Sequence, residues 1–393
     1  MISPARKVAF DILRKVEAGG YASDLLAARS ATLESRDAGL AAEIVFGVLR
    51  FQAQLDYLIA HYSGRKQRLD PEVRIALRMG IYQLRRLERV PAHAAAAESV
   101  ELVKGARKSS ASGFVNAVLR KVDRQPIAWP SREIALSCPE WLLARWERQL
   151  GAETSIGIAS AARREPDTYV RLAGGPTAYG GGPRHLEATE IPGCYRLLGQ
   201  TRDLPPGARI QDIGSQSVVP LLRLHPGQIF LDLCAAPGNK TAQALESGVR
   251  AVACDRHHHR LARLKGMGAD LVVLDGTQPL PFGRRFDHIL VDAPCSGTGT
   301  LARNPEIKWR LRPADLADLH RRQVALLASA RAALAPGGLA VYSTCSLEQE
   351  ENEDVAATVP RELLEATVRR VPGREPGDGF FAAVIKSSEF ADV

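Results

Sequence analysis

The spacing of apolar residues predicts a helical N-terminal domain. Over residues 1–124 apolar positions recur at helical intervals, as at Ile44 and Val48, which places them along one face of a helix. The dipeptide Asp70-Pro71 is typical of a helix start, with a capping residue before proline at the first helical position. We therefore predict an all-α bundle for this part of the chain.

The C-terminal part of the chain has a different pattern, in which short apolar runs alternate with helix-like stretches. Such runs have the length and composition of strands that are buried on both faces of a sheet. The alternation predicts a doubly wound, Rossmann-like α/β sheet over residues 216–393, and ligands bind such sheets beyond the carboxyl ends of the strands. The predicted strands cover residues 229–234, 250–254, 270–274, 286–291, 338–343 and 379–386, and the predicted helices include residues 239–247 and 313–334.

Residues 125–215, between these two parts, are less regular. Pro126 and Pro130 indicate a linker at the start of this segment. Short strands are predicted around residues 168–172 and 194–198. We therefore expect a small α/β connector here.

One strand, its turn and the following helix favour a particular class of cofactor. Residues 229–240 read Ile-Phe-Leu-Asp-Leu-Cys-Ala-Ala-Pro-Gly-Asn-Lys, without the glycine spacing that binds a dinucleotide pyrophosphate and without a triphosphate-binding loop. The next strand is followed by Asp255, whose carboxylate can accept hydrogen bonds from ribose hydroxyls. A nucleoside without phosphates suits this arrangement, and S-adenosylmethionine fits it best.

The net charge of +8 is concentrated in the predicted bundle. Residues 1–124 contain 21 Lys and Arg against 13 Asp and Glu, whereas residues 125–393 contain 31 of each sign. Clustered positive charge is expected of a phosphate-binding surface, but a solvated helical face has a similar composition. Charge alone leaves both interpretations open.

Composition excludes several other classes of protein. No segment approaches the roughly 18 uncharged apolar residues that cross a bilayer, and the first residues are charged where a signal peptide is apolar. We therefore expect a cytoplasmic protein with no membrane partner, and a monomer. The six cysteines are scattered without C-x-x-C pairs, and His257, His258 and His259 diverge around a helix, so we expect free thiols and no metal.

Two cysteines follow predicted strands and are therefore candidates for chemistry. Cys295 lies in the segment that begins at Asp292, and Cys345 follows another strand. A thiolate is a strong nucleophile at neutral pH, and carbon 5 of a pyrimidine becomes nucleophilic only after something adds to carbon 6. Thiols beside a methyl donor therefore indicate methylation of a pyrimidine.

These segments resemble those of a known family. LDLCAAPGNKT, DAPCSGTG, STCS and RNPEIKW are similar to the motifs of RNA cytosine-5 methyltransferases. In the N-terminal part VAFDILRKVEAGGYASDLL, FGVLR and FVNAVLR resemble the antitermination factor NusB. A NusB-like domain joined to this catalytic domain resembles bacterial 16S ribosomal RNA cytosine-5 methyltransferases. The resemblance implies formation of 5-methylcytosine on 16S ribosomal RNA, either naked or in an early assembly intermediate.

The resemblance also implies roles for individual residues. Cys345 is expected to attack cytosine carbon 6, Cys295 to help resolve the covalent adduct, and Asp292 to hydrogen-bond or protonate the pyrimidine ring. The expected cofactor site, with Asp255 at the ribose and Asp275 on the adenine side, comprises Cys234, Ala235, Ala236, Pro237, Gly238, Lys240, Asp255, Arg260, Asp275 and Asp292. The residues expected to face RNA are Arg303, Pro305 and Lys308.

Two features need separate interpretation. Asn239 stands where the family usually has a second glycine; because Asn tolerates left-handed backbone geometry, we expect cofactor binding to be retained, with at most a loss of affinity. The acidic run Glu348, Glu350, Glu351 and Glu353 is expected to favour a helix N-terminus, although Glu351 and Asn352 also match a family pattern.

Two alternatives to methylation of 16S ribosomal RNA are open. The same chemistry could act on transfer RNA or on another ribosomal site, although the NusB-like domain argues against this. The chain could also be a catalytically silent RNA-binding module. Asp292, Cys295 and Cys345 favour an enzyme, because a pure binding protein has no need for two positioned thiols.

Overall fold

The computed structural model describes residues 2–30, 33–64, 68–174, 185–199, 204, 207–283 and 285–387. The chain divides into two compact units. The first comprises Met1–Glu165 with Leu301–Arg310, and the second comprises Pro166–Thr300 with Leu311–Val393. The segment predicted as a connector thus contributes helices to the first unit and strands to the second.

The first unit is helical, as the apolar spacing predicts. Its helices are α1 (Pro4–Glu17), α2 (Ala22–Ser30), α3 (Ser35–Arg50), α4 (Gln52–Ser63), α5 (Pro71–Arg86), α6 (Ala92–Gly105), α7 (Ser112–Leu119), α8 (Arg132–Leu136), α9 (Glu140–Leu150) and α10 (Ala152–Ala161). Helix α5 begins at the predicted proline, but the Asp70 side chain does not cap it and instead pairs with Lys108 Nζ at 2.8 Å.

Close packing of α3 against α5 depends on Gly47. The Tyr82 ring lies where a side chain at position 47 would be, because a Cβ there would lie 1.9 Å from the Tyr82 Cζ atom. The Tyr82 hydroxyl donates a hydrogen bond to Glu43 Oε1 at 2.5 Å. Ile44 and Val48, on the predicted apolar face of α3, are buried in the same core.

Substitution of Gly47 tests this packing. In Gly47→Ala the Tyr82 ring must move and lose its bond to Glu43, so we expect the protein to lose about 2 kcal/mol or more of stability. Gly39 is the matched control in the same helix: a Cβ there meets nothing within 4 Å. Gly39→Ala should be neutral or stabilising by about 0.5–1 kcal/mol. Thermal unfolding of the full chain measures both, and equal melting temperatures for the two variants would contradict this account.

The second unit contains two sheets. The smaller sheet is antiparallel and has the order β2-β3-β1-β4, with β1 and β3 at the predicted positions. Its strands are β1 (Tyr169–Arg171), β2 (Leu186–Ala188), β3 (Cys194–Leu197) and β4 (Arg209–Ile210).

The larger sheet has seven strands in the order β10-β11-β9-β8-β5-β6-β7. Strands β5 to β9 pair in parallel, whereas β11 pairs antiparallel with both β9 and β10. The strands are β5 (Ile229–Asp232), β6 (Arg250–Asp255), β7 (Asp270–Val273), β8 (Phe286–Asp292), β9 (Leu334–Thr344), β10 (Leu364–Arg370) and β11 (Phe380–Lys386). The remaining helices are α11 (Ile213–Gln216), α12 (Asn239–Leu245), α13 (His258–Leu261), α14 (Ile307–Arg310, in the first unit), α15 (Pro313–Ala332) and α16 (Glu353–Ala356).

The larger sheet confirms the predicted Rossmann-like architecture. Its central strands are buried on both faces: Ile289 and Tyr342 belong to one core, and Leu290 and Val341 to the other. This double burial explains the nearly continuous apolar runs. All six predicted strands are present, and β10 is the additional one.

Parallel pairing in register brings the ends of three strands together. Asp232 on β5 lies opposite Leu290 on β8, and Asp292 at the end of β8 lies opposite Ser343 on β9. The loops that follow β5, β8 and β9 therefore leave the same edge of the sheet. This edge carries most of the residues expected in the site.

Candidate active site at the carboxyl edge of the sheet

The turn after β5 uses one glycine in a left-handed conformation. Gly238 has φ +109° and directly precedes α12, which begins at Asn239. Asn239 is therefore helical, and the expectation that it would occupy a left-handed position was wrong. The residue with positive φ is Gly238, one residue earlier. Its Nδ2 donates to the Ile210 carbonyl oxygen on β4 at 3.3 Å.

Asp292 is held by donors from two neighbouring elements. Lys240 Nζ on α12 donates to Asp292 Oδ2 at 2.7 Å, and Ser343 Oγ on β9 donates to Asp292 Oδ1 at 2.9 Å. Burial alone would lower the pKa of Lys240, but the charge and hydrogen bond of Asp292 raise it above its ordinary value. The cofactor-loop lysine and the expected catalytic carboxylate thus form one ion pair.

A further carboxylate lies at the end of β5 and was not among the predicted site residues. Asp232 is 1% exposed, and its Oδ2 accepts a hydrogen bond from Thr241 Oγ1 at 2.7 Å. Burial raises the pKa of Asp232 to about 7, although the Thr241 hydrogen bond opposes this shift. The signal in the sequence was a charged residue inside an otherwise apolar strand.

Three carboxylates influence the thiol of Cys234. Burial raises the pKa of Cys234, and the charges of Asp232, Asp292 and Asp255 raise it further. Asp255 ends β6, is 7% exposed and accepts a hydrogen bond from the His257 backbone N–H at 2.8 Å. This edge of the sheet is therefore rich in negative charge, which suits a positively charged ligand.

Two other expected cofactor residues lie further along the chain. Arg260 Nη2 donates to the carbonyl oxygen of Ala236 at 3.2 Å and so supports the turn after β5. Asp275 is exposed, and its Oδ1 accepts hydrogen bonds from the Thr277 hydroxyl at 2.7 Å and backbone N–H at 3.0 Å. These bonds hold the pKa of Asp275 below its ordinary value.

The two expected catalytic cysteines are adjacent. Cys295 Sγ, in the loop after β8, lies 3.1 Å from Cys345 Sγ, in the loop after β9. The hydrogen bond with Cys345 and burial raise the pKa of Cys295. Gly299 allows the loops to approach, because a Cβ there would lie 2.8 Å from the Cys345 carbonyl oxygen and 2.4 Å from the Gly379 carbonyl oxygen. All six cysteines of the chain are free thiols.

The acidic run after Cys345 lies at two short helix starts, as expected. Glu348 precedes a single 3₁₀ turn, Gln349–Glu351, whose first turn contains Glu350 and Glu351, and Glu353 occupies the first turn of α16. Glu348 and Glu351 are nevertheless completely buried, which the sequence did not predict. Glu351 contacts the loops of both cysteines, and only its match to a family pattern marked it in the sequence.

The segment expected to face RNA belongs to the first unit. Lys308 is 1% exposed, and its Nζ donates to the Arg50 carbonyl oxygen at 3.1 Å. Burial lowers the pKa of Lys308 to about 8. Pro305 is also buried, and Arg303 is half-buried. In this structure Lys308 therefore binds protein backbone instead of presenting its charge to RNA, which corrects the expectation for this residue.

Burial of Lys308 predicts a dependence of stability on pH. Between about pH 8 and the unfolded value of 10.5, the unfolded chain binds a proton that the folded chain does not, so stability rises with pH. Relative to Lys308→Met, the wild type should gain about 2 kcal/mol between pH 7.5 and pH 9.5 in urea unfolding. Lys104→Met, which removes an exposed lysine, is the control. A pH-independent difference between Lys308→Met and the wild type would show that the ammonium is not desolvated.

The mainly parallel sheet, its single-glycine turn and the acidic edge define a Rossmann-like methyltransferase. Comparison with known families agrees: residues 219–386 match the family described as 16S rRNA methyltransferase RsmB/F, and residues 3–124 match the NusB family. The chain belongs to the RsmB/F family of rRNA methyltransferases and carries a NusB-family region at its N-terminal end.

Similarity to individual proteins extends over nearly the whole chain. It is 32% identical to ribosomal RNA small subunit methyltransferase B of Erwinia tasmaniensis, covering 95% of this chain and 96% of that protein. It is 34% identical to the protein of the same name from Klebsiella pneumoniae, covering 94% of each. The crystal structure of PH0851 shares the fold, with a TM-score of 0.81 and 22% identity over 98% of this chain and 100% of that one.

Two features are absent from the part of the chain that the structure describes. None of the helices described is long and apolar enough to cross a membrane. Within the same part of the chain, no group of three or more His, Cys, Asp or Glu side chains could hold a metal ion.

Proposed function

We propose that this protein uses S-adenosylmethionine to form 5-methylcytosine at a specific cytosine of 16S ribosomal RNA, through a covalent bond between Cys345 and cytosine carbon 6. The observation that carries the proposal is the pair of thiols 3.1 Å apart at the sheet edge, in loops that follow β8, which ends at Asp292, and β9. Relatives named ribosomal RNA small subunit methyltransferase B support the choice of RNA.

The residues at this edge fit the proposed cofactor. S-adenosylmethionine carries a sulfonium and an ammonium group, and the carboxylates of Asp255 and Asp292 provide a negative environment for positive charge, to which Asp232 adds when it is ionised. We infer that Asp255, at the end of β6, accepts hydrogen bonds from the ribose hydroxyls. Gly238 makes the left-handed turn before α12 possible, and Leu264 fills the space where its Cβ would be, with Cγ 2.8 Å from that position. When bound, the cofactor supplies an electrophilic methyl group.

Cys345 begins the reaction in this scheme. Its thiolate forms a bond to cytosine carbon 6, and the electron pair of the carbon 5–carbon 6 double bond makes carbon 5 nucleophilic. The Asp292 carboxylate, held by Lys240 and Ser343, is suited to accept a hydrogen bond from the pyrimidine ring or its amino group. Carbon 5 then bonds to the methyl carbon as the bond between that carbon and the donor sulfur breaks.

Cys295 acts when the adduct is resolved. The carbon 5 proton passes to solvent, the carbon 5–carbon 6 double bond forms again, and the bond between carbon 6 and the Cys345 sulfur breaks. Cys345 leaves as a thiolate. A protonated Cys295, whose pKa is raised by its hydrogen bond with Cys345 and by burial, can donate to the departing sulfur.

Two observations favour this function over its alternatives. A catalytically silent RNA-binding module would not need an ion pair between Lys240 and Asp292 beside two adjacent thiols. The NusB-family region and the names of the relatives favour 16S ribosomal RNA over transfer RNA. We infer that the positive charge of residues 1–124 contributes to binding RNA phosphates.

The proposed role of Asp255 predicts weaker cofactor binding on substitution. Asp255→Ala removes the carboxylate that accepts the proposed hydrogen bond from the ribose. Such a charge-assisted bond is worth about 1.5–3 kcal/mol, so affinity for S-adenosylmethionine should fall about tenfold or more. Isothermal titration calorimetry measures this directly. Asp270→Ala, which removes an exposed carboxylate at the start of β7, is the control. Unchanged affinity in Asp255→Ala would exclude this residue from the cofactor site.

The different roles proposed for Cys345 and Cys295 predict opposite results when each is replaced by alanine. Cys345→Ala should abolish both methylation and any covalent complex with RNA. Cys295→Ala should still attack but release product slowly, so protein joined to RNA should accumulate. Denaturing gel electrophoresis with labelled 16S RNA distinguishes them.

The control for this experiment is Cys138→Ala, which changes a buried cysteine of the first unit. A covalent band in Cys345→Ala that is absent from Cys295→Ala would reverse the roles and make Cys295 the nucleophile.

A further inference from the structure

A buried carboxylate lies directly behind the two thiols. Glu351 is completely buried, and its Oε1 accepts hydrogen bonds from the Ser296 backbone N–H at 2.8 Å and from Gln323 Nε2 at 3.0 Å. Its Oε2 accepts from the Ser346 hydroxyl at 2.5 Å and from the Ser296 hydroxyl. Ser296 directly follows Cys295, and Ser346 directly follows Cys345. A single carboxylate is thus bonded to the neighbours of both cysteines.

We propose that Glu351 is a positioning residue that joins the Cys295 loop to the Cys345 loop and thereby fixes the distance between the two thiols. The two strands β8 and β9 bring the loops to one edge, but the strands end at Asp292 and Thr344. Beyond these ends the two serine hydroxyls, 3.0 Å apart, and the carboxylate between them connect the loops. This role rests on the proposed function because it matters only if both thiols act on one substrate.

Glu351 is itself held in place by the surrounding fold. The Tyr342 hydroxyl on β9 donates to the Glu351 carbonyl oxygen at 2.6 Å. Gln323 on α15 donates both to Glu351 and, at 2.9 Å, to the Pro294 carbonyl oxygen just before Cys295. Removing Glu351 would leave the backbone N–H of Ser296 and the amide of Gln323 without this acceptor in a buried site, which is costly.

The charge of Glu351 also acts on Cys295. The hydrogen bond with Cys345 and burial are the main causes that raise the pKa of Cys295, and the negative charges of Cys345 and Glu351 add to them. Glu351 therefore favours the protonated form of Cys295. The spacing of the two thiols and the proton on Cys295 then both depend on the same side chain.

Oxidative cross-linking measures the spacing without RNA or cofactor. The sulfurs need to move only from 3.1 Å to the disulfide length of about 2.05 Å, so the thiol oxidant diamide should join Cys295 to Cys345 rapidly in the wild type. In Glu351→Ala we expect cross-linking to slow about tenfold, because the loops lose their shared acceptor. Mass spectrometry of the digested full chain gives the rate. The matched control, Asp354→Ala, removes an acid from the same segment that bonds Gln349 instead, and should cross-link like the wild type.

Turnover gives a second readout. In Glu351→Ala, kcat should fall about tenfold while KM for RNA and affinity for S-adenosylmethionine stay near wild type, because only the thiols are displaced. Glu351→Gln, which keeps one acceptor oxygen, should lie between Glu351→Ala and the wild type. If Glu351→Ala fails to fold, the double variant Ser296→Ala and Ser346→Ala removes the same two hydroxyl bonds and should slow cross-linking at least about threefold.

These outcomes separate the inference from the proposed function. Cross-linking at the wild-type rate in Glu351→Ala, or in the double serine variant if the first does not fold, would overturn the positioning role. Slow cross-linking in these variants, with a wild type that neither methylates RNA nor forms a covalent complex, would support the positioning role and reject the proposed chemistry.

Discussion

The parallel pairing of β8 with β9 is the constraint on which the candidate site depends. Asp292 and Ser343 are register partners, and the hydrogen bond between their side chains shows how closely the two strand ends approach. Because both strands run in the same direction, their loops emerge together, and Cys295 and Cys345 meet although 50 residues separate them. A shift of one residue in this register would turn Asp292 to the opposite face and separate the thiols.

Charge at this edge is arranged in two parts. Around the turn after β5, Asp255 and Asp292 create a negative environment, to which Asp232 adds when it is ionised, and Lys240 neutralises only part of it. Behind the thiols, Glu351 is surrounded by hydrogen-bond donors that make its burial tolerable. The first part suits a positively charged methyl donor, and the second holds the loops that carry the two thiols. The same edge of the sheet can thus bind a positively charged ligand at one point and hold a nucleophilic thiol at another.

Much of this architecture follows from the sequence in physical terms. Apolar runs predicted the central strands because those strands are buried on both faces, and residues after the strands were candidates because parallel strands end at one edge. Strand β10 was missed because Glu365, Arg369 and Arg370 interrupt its apolar pattern, as is common at a sheet edge. Roles for single residues at the site came from the family resemblance, since spacing alone does not distinguish one cysteine from the other.

The remaining errors concern burial and backbone geometry that local sequence does not encode. Lys308 is buried against Arg50, and Glu351 behind two loops, through contacts between segments distant in the chain. A charged residue in a polar segment is expected at the surface, because an isolated buried charge is costly and its partners are not visible in the local sequence. Asn239 was misplaced by one residue, since the pattern located the turn but not which of its residues has positive φ.

We propose that this chain methylates one cytosine of 16S ribosomal RNA through Cys345. Bisulfite sequencing of 16S ribosomal RNA should be performed on cells with the gene, without it, and without it but expressing either the wild-type or the Cys345→Ala protein. The account predicts that deletion removes 5-methylcytosine from a single position, that the wild-type protein restores it, and that Cys345→Ala does not. An unchanged 16S methylation pattern after deletion, or restoration by Cys345→Ala, would contradict it.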